Sequence, residues 1–268
     1  MSEQVAQSES TKFEMVLYSA MGFPGVKIDR ESFLRKELSK HYSNEIVSKA
    51  ISANPAQAGI NANELDRIAK ACINYETAKV SAISAAAGLP GGFAMAATIP
   101  ADAAQLFAHL IRILQKLAYL YGWQDMSISK DGLDDETSNQ LTLFIGAMFG
   151  VNAANTALTK IASLAAQNVP KQLLRQALTH GMIYPIVKQI AKAIGVKMTT
   201  KIFAKSVGKL VPVIGAAASG GITYAIFKPM SIRLKKYLET LPTASVEFYA
   251  NLDSTNVVIE ADEVISLN

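Results

Sequence analysis

Five polar side chains fall on one side of a predicted helix over residues 102 to 121. At 100° per residue they lie within about 80° of one another, and nearly every other position of the helix is apolar. The five are Asp102, Gln105, His109, Arg112 and Lys116. Such a stripe could transfer protons or hold a polar ligand. The interpretation that we favour is that an enclosed helix needs a polar side of mutually paired charges.

No other arrangement of residues predicts chemistry. The three histidines, His41, His109 and His180, are isolated, and there is no HExxH or CxxC spacing for a metal. The GLPGG at 88–92 lacks the lysine–hydroxyl pair of a phosphate-binding loop. We therefore predict a non-enzymatic protein without a metal site or cofactor. An enzyme acting on lipids would depend on Asp102 and His109 alone.

The composition indicates an all-α protein. Half of the residues are apolar and 18% are charged, below the usual quarter. Alanine and aliphatic residues dominate over aromatics, which favours helices. A single cysteine, Cys72, forms no internal disulfide and is typical of a reducing compartment. The first residues include acids and no apolar stretch, so we expect no secretory signal and a cytoplasmic location.

We predict one helical domain over residues 13–242, after a disordered segment 1–12. An acidic loop near 124–140 is the candidate internal boundary, and 243–268 is predicted to be an acidic tail that is flexible or adds a short strand. Asp29, Ser43 and Asn63 are candidate helix N-caps. Leu65, Ile68, Cys72, Val80 and Ile83 are predicted to form the apolar side of the helix after Asn63. Residues 141–166 are predicted to form one helix, in which Gly146 and Gly150 allow close helix packing.

Two apolar runs, 82–101 and 210–227, are interrupted by glycine and proline. A helix that spans a bilayer needs about 20 apolar residues, and these interruptions argue against straight spanning rods. Two interpretations stay open: tightly packed hairpins in the protein core, or shallow insertion into a membrane.

The charge is divided unevenly along the chain. No acid occurs between Glu136 and Glu239, and that segment has a charge of +13; the last thirty residues carry −6. Such asymmetry indicates a polyanionic partner. Lysines four residues apart over 197–209 are typical of an interfacial amphipathic helix. The predicted lipid-binding residues are Lys188, Lys192, Lys197, Lys201, Lys205, Lys209, Lys228, Arg233, Lys235 and Lys236. Nucleic acid is a weaker candidate because arginine and interleaved aromatic residues are few.

The chain resembles the EcsC family. The resemblance covers roughly residues 20 to 240 and rests on the Gly-Pro-Gly step at 88–92, Pro100 and Asp102, Arg112 with the following YLYGW, and the apolar run Pro212 to Gly221. It implies a helical, membrane-associated bacterial protein, related to a gene product encoded beside an ABC transporter. It supplies no catalytic residues, and the acidic tail departs from the family pattern.

These observations predict a protein that binds anionic phospholipid at the inner face of the cytoplasmic membrane, peripherally or with shallow insertion. It could be accessory to a transporter or another membrane protein. Two alternatives remain: a soluble helical domain that encloses an apolar ligand, and a protein that forms pores in membranes. The sequence does not predict an oligomeric state.

Overall fold

The computed structural model shows one all-α domain, as predicted. It describes residues 13–87, 101–126, 134–167, 169, 171–179, 183–197 and 215–254. These residues form helices and short connections, with no strand among them. Among the described residues, the larger of two hydrophobic clusters includes residues from both sides of the predicted boundary loop.

The helices are numbered here in chain order. They are α1 (13–21), α2 (Arg30–Leu38), α3 (Asn44–Ser52), α4 (Ala62–Ala87), α5 (Ala101–Leu120), α6 (Asp135–Met148), α7 (Asn152–Ala166), α8 (Lys171–Thr179), α9 (Ile183–Lys197), α10 (Gly215–Leu238) and α11 (Val246–Ser254), with a 3-10 turn at Pro242–Ala244 before α11.

Side-chain caps begin several helices. The Asp29 carboxylate accepts a hydrogen bond from the Ser32 amide, and the Ser43 hydroxyl accepts one from the Ile46 amide, so both predicted caps are confirmed. The cap of α4 is Asn61 instead of the predicted Asn63, because its side-chain oxygen accepts from the Glu64 amide at 3.1 Å.

Helix α4 packs chiefly against α10 and α5, and α10 also packs against α5. Phe107, Tyr119 and Tyr121 of the α5 region are almost wholly buried in the core. The predicted apolar side of α4 is buried from Leu65 to Val80. Ile83 is the exception, since 36% of it is exposed near the end of the helix.

The predicted single helix over 141–166 is wrong, because the chain turns between Met148 and Asn152. Gly150 has φ +71°, a left-handed conformation that glycine adopts without strain, and α7 begins two residues later. Gly146 allows the close packing that we predicted: an added Cβ would lie 2.6 Å from Ile190 and 2.8 Å from Ala154.

The second apolar run continues directly into the basic segment that follows it. Helix α10 runs from Gly215 through both glycines at 220–221 to Leu238, and Pro229, which has no N–H to donate, lies inside it. The glycines therefore do not divide residues 215–238 into a hairpin. Residues 88–100 and 210–214 lie outside the described residues. Among the helices that the structure describes, none combines the length and the apolarity needed to cross a bilayer.

The start of the predicted acidic tail is helical and packed. Tyr249 of α11 is buried against Ala56 and Ala166, and its hydroxyl accepts a hydrogen bond from the Asn54 amide at 2.9 Å. The backbone oxygen of Thr243 lies against Gly122, which has φ +91°. Residues 1–12 and 255–268, predicted to be flexible or strand-forming, lie outside the described part of the chain.

Candidate functional site

Two groups of charged side chains meet at α4. The first, called the ion cluster below, joins Glu76 of α4 to His109, Arg112 and Lys116 of α5. The second, called the cleft below, lies between α4 and α10. It is lined by Lys70, Ile73, Asn74, Lys228, Ile232, Lys235, Lys236 and Glu239.

The ion cluster surrounds a carboxylate that has no solvent exposure. Lys116 Nζ donates to Glu76 Oε1 at 2.6 Å, and Arg112 donates from Nη2 at 3.2 Å and from Nε to Oε2 at 3.5 Å. His109 Nδ1 lies 3.8 Å from Oε2, beyond hydrogen-bond distance. The Lys116 ammonium also lies 5.6 Å from the centre of the Tyr75 ring. Two donors and a third basic side chain therefore surround one buried acid.

The Glu76 carboxyl remains ionised in this site. Burial by itself would raise its pKa, but His109, Lys116 and Arg112 lower the pKa by more than burial raises it. The result is a pKa well below the usual range of a glutamate. A carboxylate that is always ionised and already paired is poorly suited to accept or donate protons near neutral pH.

The structure brings together three of the five residues of the predicted stripe. His109, Arg112 and Lys116 all lie against Glu76, so the carboxylate that pairs with this part of the stripe comes from α4 and not from the stripe itself. Gln105 is half-buried and is not one of the three contacts to Glu76. The side chain of Asp102 lies outside the described residues, so the Asp102–His109 pairing stays a prediction.

Sequence reasoning missed Glu76, although the sequence contains a signal for it. Glu76 lies four residues after Cys72 and four before Val80, in the middle of the buried side of α4. A carboxylate at such a position needs a basic partner from a neighbouring element. Pairing this position with the basic residues on α5 would have predicted the ion cluster.

The deepest charge of the cleft is Lys235, which is only 4% exposed. Its ammonium donates to both Asp66 and Glu239, and Lys70 donates to Asp66 from 2.6 Å away. Tyr121 donates its hydroxyl proton to Glu239 Oε1 at 3.1 Å. Burial raises the pKa of Asp66, but the bonds from Lys235 and Lys70 lower it more, to about 2. Lys235, predicted to bind lipid, is therefore occupied within the fold.

The other lysines of the cleft on α10 are held differently. Lys228 donates to the Tyr224 hydroxyl at 2.9 Å, and its ammonium lies 5.1 Å from the centre of that ring. Lys236 is exposed. Neither has a carboxylate within salt-bridge distance among the described residues. The cleft has a volume of about 370 Å³, and the half-buried Ile232 supplies apolar surface in it.

The remaining predicted lipid-binding residues lie in several places. Lys188 and Lys192 are exposed on α9. Arg233 donates to the backbone oxygen of Met148 at 2.6 Å, close to the turn at Gly150. Lys197 ends α9, and its side chain is not described. Lys201, Lys205 and Lys209 lie outside the described residues.

The two groups of charges therefore differ in what they can bind. The ion cluster is largely buried, and its lysine and arginine are bound to Glu76, whereas the cleft is open and, among the described residues, has two lysines without a carboxylate partner. Comparison with known proteins found no matching family model, no matching curated protein and no matching solved structure.

Proposed function

We propose that this protein binds the surface of an anionic phospholipid membrane and performs no catalysis. The observation that carries the proposal is the arrangement on α10. Lys228 and Lys236 lie beside apolar Ile232 at an open cleft, in a segment that contains no acid between Glu136 and Glu239. Anionic head groups would supply the counter-charge that the segment lacks.

Two further features support this proposal. Lys188 and Lys192 are exposed on α9, and each lysine near an anionic surface contributes about 1 kcal/mol of binding free energy. Tyr224 is 48% exposed beside Lys228, and tyrosine is enriched at the boundary between head groups and acyl chains. The segment between Glu136 and Glu239 has eleven lysines and two arginines, which favours a lipid surface over nucleic acid, where arginine is expected.

The proposal agrees with what the resemblance to the EcsC family implies. In that case the surface is the inner face of the cytoplasmic membrane, with the protein bound peripherally or shallowly inserted. An accessory role beside a transporter stays a prediction from the resemblance.

The test is co-sedimentation of the full chain with neutral and with anionic vesicles, at low and at high salt. We expect binding to the anionic vesicles alone, weakening as salt screens the lysines. Lys188→Gln/Lys192→Gln should weaken binding, because it removes charge from the acid-free segment. The matched control is Lys36→Gln/Lys49→Gln, two exposed lysines on α2 and α3, which should bind as the unmodified protein does.

Other outcomes would favour the alternative functions. Binding that persists at high salt would indicate insertion of the apolar runs, and leakage of an entrapped dye would indicate a pore-forming protein. A failure to bind either vesicle would contradict the proposal. An apolar molecule that copurifies in stoichiometric amount would then favour a ligand-enclosing domain.

A further inference from the structure

The structure assigns the cleft between α4 and α10 to one phosphate monoester head group carried on an apolar stem, the chemistry of phosphatidic acid. This inference rests on the proposed function and deepens it. The proposed function requires only diffuse attraction to an anionic surface, whereas this inference requires one saturable site with a defined head group.

The charges of the cleft match a doubly negative ligand. Four lysines line it, and the carboxylates present are Glu239 and the adjoining Asp66. Lys235 and Lys70 are bound to those carboxylates, which leaves Lys228 and Lys236 without a negative partner within the described residues. A phosphate monoester has a charge of about −1.5 to −2 near neutral pH, so it would neutralise the excess of two.

The positions of these two lysines suit a shared ligand. They are eight residues apart on α10, which separates their backbones by about 12 Å, and Ile232 lies midway between them. Their long, flexible stems allow both ammonium groups to approach one phosphate above Ile232. Lys228 donates to the Tyr224 hydroxyl, a neutral partner four residues towards the N-terminus, and would exchange this hydrogen bond for the charged phosphate when it turns towards Ile232.

The other side of the cleft suits the rest of such a ligand. Helix α4 contributes the Asn74 amide, a donor for phosphate or ester oxygens, and Ile73, which is 1% exposed and forms part of the apolar surface. Free phosphate would use the lysines and leave the half-buried Ile232 uncovered. A glycerol backbone and the first acyl carbons would cover that side chain, so the lining favours a lipid.

The experiment is calorimetric titration of the full chain with three probes. Two are short-chain lipids kept below their critical micelle concentrations, dihexanoyl phosphatidic acid and dihexanoyl phosphatidylcholine, and the third is inorganic phosphate. We expect saturable one-to-one binding of the phosphatidic acid, weaker binding of inorganic phosphate, and none of the zwitterionic lipid. Equal affinity for inorganic phosphate would assign the cleft to free phosphate and overturn the lipid assignment.

Three variants locate the site. Lys228→Gln/Lys236→Gln should weaken phosphatidic acid binding roughly thirtyfold. Ile232→Phe fills the cleft without changing its charge and should also weaken binding. The control Lys188→Gln/Lys192→Gln removes the same charge from α9 and should leave the short-chain titration unchanged. Unchanged thermal unfolding of each variant, followed by circular dichroism, shows that the fold is retained.

Two results would overturn this inference. One is the absence of saturable phosphatidic acid binding, and the other is an equal loss of binding in both lysine pairs. Co-sedimentation with anionic vesicles distinguishes failure of the cleft assignment from failure of the proposed membrane-surface function. If the unmodified protein binds anionic vesicles but not the short-chain lipid, the surface function stands and the cleft assignment fails.

Discussion

The ion cluster and the cleft both lie at α4 and contain the same kinds of charged group. In both, lysine ammonium groups meet carboxylates of α4, namely Glu76 in the ion cluster and Asp66 at the cleft. Glu76 is fully buried, whereas the side chain of Asp66 is 25% exposed. In the ion cluster every strong donor is directed at one carboxylate; in the cleft, Lys228 and Lys236 have no such partner among the described residues.

The difference shows how burial separates a structural role from a binding role. A charge removed from water must be paired, because its desolvation costs several kcal/mol. Arg112 and Lys116 of the ion cluster are therefore bound to Glu76, which neutralises much of their charge within the fold. A charged group at an open cleft stays hydrated, and an external anion can replace the water molecules bound to it.

The largest expected effect is on stability, through Glu76→Gln. Because Glu76 is fully buried, the change leaves Arg112 and Lys116 largely buried without their counter-charge, and the free energy of unfolding should fall by about 3–5 kcal/mol. Asp66→Asn should cost less, about 1–2.5 kcal/mol, since Lys235 retains Glu239 and the Asp66 side chain is 25% exposed. Urea unfolding measures both. Equal losses would contradict the distinction between the two regions.

A matched pair of lysine substitutions sharpens the comparison. Lys116→Gln removes a 2.6 Å bond to a buried carboxylate and should lower the free energy of unfolding by about 1.5–3 kcal/mol. The same change at Lys236, which is exposed, should alter it by no more than about 0.5 kcal/mol. Thermal unfolding of the two variants, side by side, tests this prediction, and a larger loss at Lys236 would reverse the assignment of roles.

The low pKa of Glu76 makes stability depend on pH in a definite direction. A carboxyl whose pKa in the folded protein lies below its ordinary 4.5 adds stability that is complete above that value and disappears as the pH falls. The unmodified protein should therefore lose stability progressively from about pH 5 downwards, and the loss should continue below pH 3. Glu76→Gln should flatten this part of the curve. A smaller slope in the same region is expected from Asp66, between its ordinary pKa of 3.8 and its pKa of about 2 in the folded protein. The measurement is the free energy of unfolding in urea at several pH values. If Glu76 were not responsible, this free energy would fall equally steeply with pH in the unmodified protein and in Glu76→Gln.

The smallest expected effect is on binding to anionic vesicles, through the acidic residues near the C-terminus. The acids Glu260, Asp262 and Glu263 could compete with lipid for the basic segment. Deleting residues 255–268 should then tighten binding to anionic vesicles a few-fold at low salt. The cut must not begin at 243, because Tyr249 and Thr243 pack against the domain. Unchanged binding in co-sedimentation would remove the competing role, and Glu260→Gln/Asp262→Asn/Glu263→Gln separates charge from length.

Much of the fold could be predicted from local pattern. Helical spacing predicts the all-α class, and Asp29 and Ser43 cap their helices because a short side-chain acceptor can reach an amide three residues on. Phe33, Leu34 and Leu38 follow the helical period and are buried. The break at Gly150 was missed because an apolar run with helical spacing continues across it, and only the left-handed backbone there reveals the turn.

The site was less predictable, because its geometry depends on distant partners. The stripe of His109, Arg112 and Lys116 follows from the helical period alone. Its counter-charge, Glu76, lies 36 residues before Arg112 and becomes a neighbour only when α4 packs on α5. Lys235 likewise has the composition of a surface lysine, and it is buried because Asp66, 169 residues away, and Glu239 neutralise it.

Most of the helices, their apolar sides, and the excess of lysine over acid between Glu136 and Glu239 follow from the sequence. These depend on neighbours within a few residues along the chain. Only the tertiary structure decided which charges cancel and which remain available. That outcome depends on which helices pack together, and on whether water reaches the contact after they have done so.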